Sequence, residues 1–332
     1  AVRDLLVDLG WGGPRGFRLE VNARPQDRGG IRPIVGLAAG LKGARYGLVA
    51  DHVDLRFVHA LVSPWLGSQL ARPEQLAGVA RSLEIGGTRR GGLHRFSGRL
   101  ENLRIDGAWS GAGLSGLNVD LALDGDAPVF KPSGAVELRL PALYPDPIRL
   151  SRMQGALRVA EDMVLVEALR LEHDEFAARV DGAVLQADGS PYLDLVIDTP
   201  RLSSEMPRRW LPMRGLPPQT RKWLDEALVA VESASAVTTL HGRPLDWPRH
   251  VPDAAVSSDI SFSGLRLDYA PGWPVAERVA GRVEFIGERM VARVDSGRVA
   301  EVSLRAPLVR IADTRNARLE LALESGEGVT AG

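Results

Sequence analysis

Apolar and polar residues alternate with a period of two through most of this chain. Phe17, Leu19, Val21 and Ala23 alternate with Arg18, Glu20, Asn22 and Arg24. Val53, Leu55 and Phe57 alternate with Asp54 and Arg56, and Leu117, Val119, Leu121 and Leu123 with Asn118, Asp120 and Asp124. The pattern returns at Val136, Leu138 and Leu140, at Ala178, Val180, Gly182 and Val184, and at Leu265, Leu267 and Tyr269. It continues through Val279, Gly281, Val283 and Phe285 and ends at Leu319, Leu321 and Leu323. Successive side chains of a strand point to opposite faces, so each segment predicts a strand with one apolar and one wet face. The strands recur at short intervals, separated by turn signals at Asp106-Gly107, Asp124-Gly125, Asp188-Gly189 and Gly287-Glu288. This spacing predicts a mainly β fold built from antiparallel strands: a meander, sandwich, barrel or elongated sheet.

The phase slips twice. Ile260 and Phe262 share one parity and Leu265 and Leu267 the other, with Gly264 at the switch; Val164 and Val166 slip against Leu169 and Leu171 near Ala168. A bulge at each point restores the apolar face. Helix signals are few. His59–Leu70 and Pro73–Leu83 read as short helices, the second with Leu76, Val79, Ala80 and Leu83 on one face. Pro218–Val231 is the best helix: Pro218 suits the first turn, and Trp223, Leu224, Ala227, Leu228 and Val231 form one stripe that packs on the sheet. The Pro-rich stretch Leu211–Pro218 is the clearest break in the chain.

Composition narrows the class. The 332 residues are 45% hydrophobic and 25% charged, as in folded proteins, and the formal net charge of -1 gives no global field toward nucleic acid or an anionic membrane. There are no cysteines, which excludes disulfides and thiol chemistry. No stretch approaches the ~20 apolar residues of a spanning helix. The chain opens in a strand pattern at Ala1 and closes on a Gly-rich stretch, Gly326 to Gly332, and so reads as a segment of a longer protein.

Candidate chemistry is sparse. The six histidines, His52, His59, His94, His173, His241 and His250, form no metal-binding helix pair. Asp124-Gly125-Asp126 opens like a calcium loop, but its twelfth position is Ala135 rather than Glu. Phosphate-loop, dinucleotide and nucleophile-elbow motifs are absent. His173-Asp174-Glu175 reads as a solvated turn. Trp109, Trp247 and Trp273 would support sugar stacking only if clustered on an exposed face. No catalytic residue, metal or cofactor is expected. What remains is the apolar face itself, either sealed as a core or open as a groove.

A set of motifs in fixed order carries a resemblance. They are Leu140-Pro141-Ala142-Leu143-Tyr144-Pro145-Asp146-Pro147 with Met153-Gln154-Gly155, Trp210-Leu211-Pro212, and Trp223-Leu224-Asp225-Glu226-Ala227-Leu228. Gly242-Arg243-Pro244-Leu245-Asp246-Trp247-Pro248, Leu265-Arg266-Leu267-Asp268-Tyr269, Gly272-Trp273-Pro274, Val283-Glu284-Phe285 and Met290 follow. Together they resemble the YhdP branch of the AsmA-like superfamily over about half the chain. The chain departs from the family pattern at Val231–Ala236 and at Arg249-His250.

The resemblance implies an elongated, twisted antiparallel sheet curled into a U-shaped β-groove, or β-taco, with a few short helices. It divides the chain into a groove segment over 1–130, with helices near 59–83, and a second over 131–332, with a helix near 217–231. It implies a non-enzymatic segment of a periplasmic bridge in Gram-negative bacteria, anchored in the inner membrane by another part of the protein, that carries phospholipid acyl chains toward the outer membrane. Partners would be phospholipid, both membranes and other envelope proteins, but not nucleic acid. The groove candidates are Leu117, Val119, Leu121, Val136, Leu138, Val180, Val184, Leu265, Leu267, Val283 and Phe285. The alternative is an envelope assembly factor with a closed β core that works through protein contacts.

Overall fold

A computed structural model describes residues 2–11, 16–25, 35–42, 45–55, 76–88, 91–107, 111–125, 127–141, 144–160, 163–187, 190–204, 207–210, 218–244, 255–269, 271–287, 289–304, 307–311 and 319–323. The helix expected at His59–Leu70 lies outside them, as do Trp109, Trp247, His59 and His250. Two compact units emerge: Ala1–Leu140 with Pro147–Leu169, and Pro141–Asp146 with Arg170–Gly332. The boundary between these two units falls near residue 170.

The first unit is an antiparallel ladder. Its strands are β1 (Val2–Trp11), β2 (Gly16–Pro25), β3 (Val35–Lys42), β4 (Arg45–Asp51), β5 (Val53–Asp54), β6 (Leu76–Thr88), β7 (Gly92–Ile105) and β8 (Gly113–Asp124). β9 (Ala127–Ser133) and β10 (Val136–Arg139) share the edge of β8; β11 (Ile148–Leu150) pairs β10, and β12 (Arg152–Ala160) pairs β9. β13 (Met163–Glu172) crosses into the second unit. That unit continues with β14 (Phe176–Ala187), β15 (Ser190–Ser204), a 3-10 turn (Pro207–Trp210), α1 (Pro218–Ala227), β16 (Leu228–Gly242), β17 (Ala255–Leu267), β18 (Ala276–Ile286) and β19 (Arg289–Val299). β20 (Val302–Leu304), β21 (Pro307–Ile311) and β22 (Leu319–Leu323) complete it. Among the described residues neither ladder returns to pair its last strand with its first, so each sheet is open.

Bulges keep the apolar face in phase. Ser82 (φ 46°), Asn102 (φ 51°) and Ala168 (φ 48°) are left-handed non-glycine residues inside strands. At Ser82 and Asn102 the chain gains one residue against its neighbour, which takes an amide out of the ladder. Side chains from the next strand supply both: the Ser82 N–H donates to Asp51 Oδ1 at 3.0 Å, and the Asn102 N–H to Asn118 Oδ1 at 3.1 Å. A glycine faces each bulge. A Cβ on Gly98 would lie 2.8 Å from Leu83 Cα, one on Gly78 3.2 Å from Leu103 Cα, and one on Gly155 2.6 Å from Leu169 Cα. Each of these Cα atoms belongs to the residue just after the left-handed one, and at Gly78 the Glu101 carbonyl oxygen is closer still, at 2.9 Å. The slip at Gly264 (φ 64°) falls where β17 shifts register on β18, between Phe262 and Leu265.

The Ser82 bulge also overturns the expected helix at Pro73–Leu83, most of which is the start of β6. The extra residue leaves Ala80 and Leu83, three apart, both buried. That spacing imitates a helix although the chain is extended. α1 is real but ends at Ala227, four residues short of the expected Val231, because Leu228 already pairs Leu267. The Asp268 N–H donates to the Ala227 carbonyl at 2.9 Å, and the Trp223 indole N–H to the Tyr269 carbonyl at 3.1 Å, which ties the helix to the end of β17.

The face opposite the apolar one carries ion pairs, among them Arg99–Asp120 at 2.7 Å, Arg158 with Asp124 and Glu167, and Arg282 with Asp259. Most are solvent-exposed and worth little to stability. The hydrogen bond from Arg282, and secondarily its charge, nevertheless hold the Asp259 carboxyl below the usual carboxylate range.

Gly155→Ala should lower unfolding free energy by about 1–3 kcal/mol through overpacking. Gly47→Ala, whose Cβ would meet only Ile85 O at 3.9 Å, should change it by no more than about 0.5 kcal/mol; urea titration checks both. Because folding depresses the Asp259 pKa, its contribution is present above the unfolded carboxylate value and is lost as pH falls through the folded one. Asp259→Asn should therefore flatten the acid limb of urea midpoints measured from about pH 7 to about pH 3, and an unchanged limb would contradict this.

Candidate functional site

Directly opposed residues in an antiparallel pair share a face, so the strand registers assemble each face row by row. In the second unit, Val180 pairs Ile197, Ile197 pairs Thr238, Thr238 pairs Ser258, and Ser258 pairs Phe285. The next row runs Thr199, Ala236, Ile260, Val283, Ala292 and Val309. A third runs Leu202, Ala234, Phe262, Gly281 and Val294. Leu265 pairs Val279, Leu267 pairs Ala276, and Val184 pairs Leu193. All three rows and these pairs lie on one face. Few polar residues interrupt it, and two of them, Thr238 and Ser258, bond each other through their hydroxyls at 2.9 Å. The pairing leaves neither hydroxyl as an isolated polar group on the apolar strip.

The opposite parity gives a different surface. Arg179, Asp198, Val237, Asp259 and Glu284 form the row beside Val180–Phe285. Around it lies a shallow depression of about 470 Å³ lined by Asp198, Ser235, Asp259, Ser261, Arg282 and Glu284 among others. Its polar groups are hydroxyls, carboxylates and the Arg282 guanidinium, which holds Asp259. Among the described residues no cluster of His, Cys, Asp or Glu could hold a metal ion.

The same construction holds in the first unit. Ala80 pairs Leu100, Leu100 pairs Val119, and Val119 pairs Pro132. The next row along is polar: Arg81, Arg99, Asp120 and Lys131. Gly98, Leu121 and Phe130 stand in line, with Phe96 and Phe130 edge to face at 5.4 Å. Leu103 pairs Leu117, and Leu138 lies between Leu114 and Ile148 while Val136 pairs Leu150. Registers extend this row pattern to the start of the ladder, where Leu9, Leu19, Ala39, Leu48, Ile85 and Phe96 align.

The sequence-derived candidates therefore share the apolar face of their own unit, but differ in exposure. Leu117, Val119, Leu121, Val136 and Val180 are buried, each below a tenth exposed. Leu138, Val184, Leu265, Leu267, Val283 and Phe285 are half-buried. The candidates omit Ile260 and Phe262, whose parity the sequence shows, and Ile197 and Ala236, which sequence reasoning missed; the four complete the half-buried strip of the second unit. Leu193, Leu195 and Ile197 do alternate, but Val196 on the wet face blurs the signal. β16 is rich in Ala, Ser and Thr and shows almost no contrast between its faces.

The turn at His173-Asp174-Glu175 is not simply solvated, as its sequence suggests. The His173 ring stacks on Phe176 at 5.1 Å, and Trp210 meets both edge-on at 4.7 Å. The Trp210 indole N–H donates to Glu175 Oε2 at 2.6 Å, and Tyr144 O–H to the Trp210 carbonyl at 3.5 Å. Burial pushes the Tyr144 phenol up. Two motifs far apart in sequence, around Tyr144 and Trp210, thus close one aromatic clamp. Trp273 is 65% exposed and stands 6.1 Å from the Tyr269 ring; its supposed sugar-stacking companions Trp109 and Trp247 lie outside the described residues.

No curated protein and no solved structure matches the chain. Among the described residues no helix is long and apolar enough to cross a membrane. The family model described as YhdP protein matches residues 62–330, a span that begins upstream of the Leu140 motif and includes all the motifs that carry the resemblance. The chain belongs to the YhdP protein family, a family of the Gram-negative envelope related to lipid transport.

Proposed function

We propose that this chain is a segment of a periplasmic bridge that carries phospholipid between the inner and outer membranes, with acyl chains lying along the apolar face of its open sheet. The observation that carries the reading is the half-buried strip of Ile197, Ala236, Ile260, Phe262, Val283 and Phe285 in the second unit. Each methylene laid on such a strip gains roughly 0.8 kcal/mol without any directional contact. Passage along it requires no catalytic residue, metal or cofactor, only a strip without isolated polar groups. Thr238 and Ser258 meet that requirement by satisfying one another. Contact with each membrane would come through other parts of the protein, including an inner-membrane anchor.

A second reading has its own support. The first-unit residues Leu48, Leu83, Leu117, Val119 and Leu121 are each less than a tenth exposed, as in a sealed core. On that reading the protein is an envelope assembly factor that works through protein contacts.

Native mass spectrometry of the chain purified from a bacterial periplasm separates the two. The carrier reading predicts co-purifying phospholipid. A carboxylate set among acyl methylenes costs well over the ~1.4 kcal/mol that makes a factor of ten in occupancy, so Val283→Asp should cut bound lipid at least about tenfold. Arg282→Ala, on the polar face, should leave it unchanged. A folded, lipid-free wild-type chain, or equal losses from both variants, would favour the sealed core.

A further inference from the structure

The polar face of the second unit carries a relay of three side chains that lipid carriage does not use. Tyr192 and Asp194 lie two residues apart on β15, so both point to the same side. His241 on β16 is the register partner of Asp194. The Tyr192 hydroxyl stands 2.7 Å from His241 Nε2, and His241 Nδ1 stands 3.3 Å from Asp194 Oδ1. The two rings meet edge to face with centroids 5.2 Å apart and planes at 85°. The flanking register partners carry no charge: Leu185 is opposite Tyr192, Ala183 opposite Asp194, and Ala255 opposite His241.

The chemistry of the three groups fixes the direction of the hydrogen bonds in the neutral imidazole. An ionised carboxylate only accepts, so the imidazole proton sits on Nδ1, facing Asp194. Nε2 then holds a lone pair, and the Tyr192 O–H donates to it. A nucleophile bonded to a base that is oriented by a third group is the general arrangement of an activated oxygen nucleophile. The relay is open to small molecules, with the His241 side chain 44% and the Asp194 side chain 62% exposed.

We infer that Tyr192 is an acyl-accepting nucleophile, activated by His241 and Asp194 toward activated esters. In the step, the phenol oxygen forms a bond to the acyl carbon and the ester C–O bond breaks. The leaving aryloxide departs with that electron pair. The phenol proton moves to His241 Nε2, where the Asp194 carboxylate stabilises the imidazolium, and then to water. The product is one tyrosyl ester per chain. It is a stoichiometric modification and does not depend on the lipid-carrier reading, because the relay lies on the face away from the apolar strip.

The test treats the 332-residue chain with p-nitrophenyl acetate, follows p-nitrophenolate release, and locates the acetyl group by peptide mass spectrometry. Tyr269 serves as the internal reference. Positioned general-base assistance is worth roughly a hundredfold or more, so Tyr192 should acetylate at least about tenfold faster than Tyr269. His241→Gln and Asp194→Asn should each bring Tyr192 toward the reference rate, with circular dichroism confirming the fold. Added imidazole should restore the rate in His241→Gly, which a purely structural role for the histidine would not produce. Equal rates at the two tyrosines, or a Tyr192 rate insensitive to all three variants, overturns the inference.

Discussion

Every feature of this protein depends on one constraint: a strand side chain can point only to one of two faces, and a slip of one residue exchanges them. A continuous apolar face across many strands requires every register to hold the same parity. The bulges at Ser82, Asn102 and Ala168 are the places where the sequence loses parity and the backbone regains it. The glycines opposite them exist because the displaced chain takes the space of a Cβ. With parity kept, Leu100, Val119 and Pro132 line up on one side and Arg99, Asp120 and Lys131 on the other. The chemistry of each face follows from that sorting.

Much of this was legible from the sequence where the contrast between faces is strong. β8, β14 and β18 declare their faces by alternation alone, and the parity slips near Ala168 and Gly264 show where the chain bends. The failures also have physical causes. A bulge turns period two into a spacing of three, and so β6 reads as a helix from Ala80 and Leu83. Leu228 and Val231 continue the stripe of α1 by coincidence, since both already lie in β16. β16 itself, with Ala234, Ser235 and Ala236 side by side, offers too little contrast between its faces to read.

Partnerships between distant elements were not legible at all. No local signal reveals that Val180 and Phe285 end the same row, because that depends on four successive registers. The same holds for the aromatic clamp, in which Trp210 fills the turn made by His173, Glu175 and Phe176 while Tyr144 bonds its carbonyl. Its motifs were visible as a family resemblance before their physical role was. The degree of burial along the apolar face is likewise not announced by the sequence, since Leu117, Val119 and Val180 are sealed while Leu138, Val283 and Phe285 stay half-buried.

The central claim is that lipid lies on one face of the sheet and not the other. The most direct measurement places a photo-crosslinking amino acid at Ile260 and, in a separate chain, at its sequence neighbour Ser261, and irradiates cells labelled in their phospholipids. These positions share a strand and point to opposite faces. The account predicts lipid adducts at position 260 and none at 261. Equal labelling at both positions, or none at 260 in a folded chain, would contradict it.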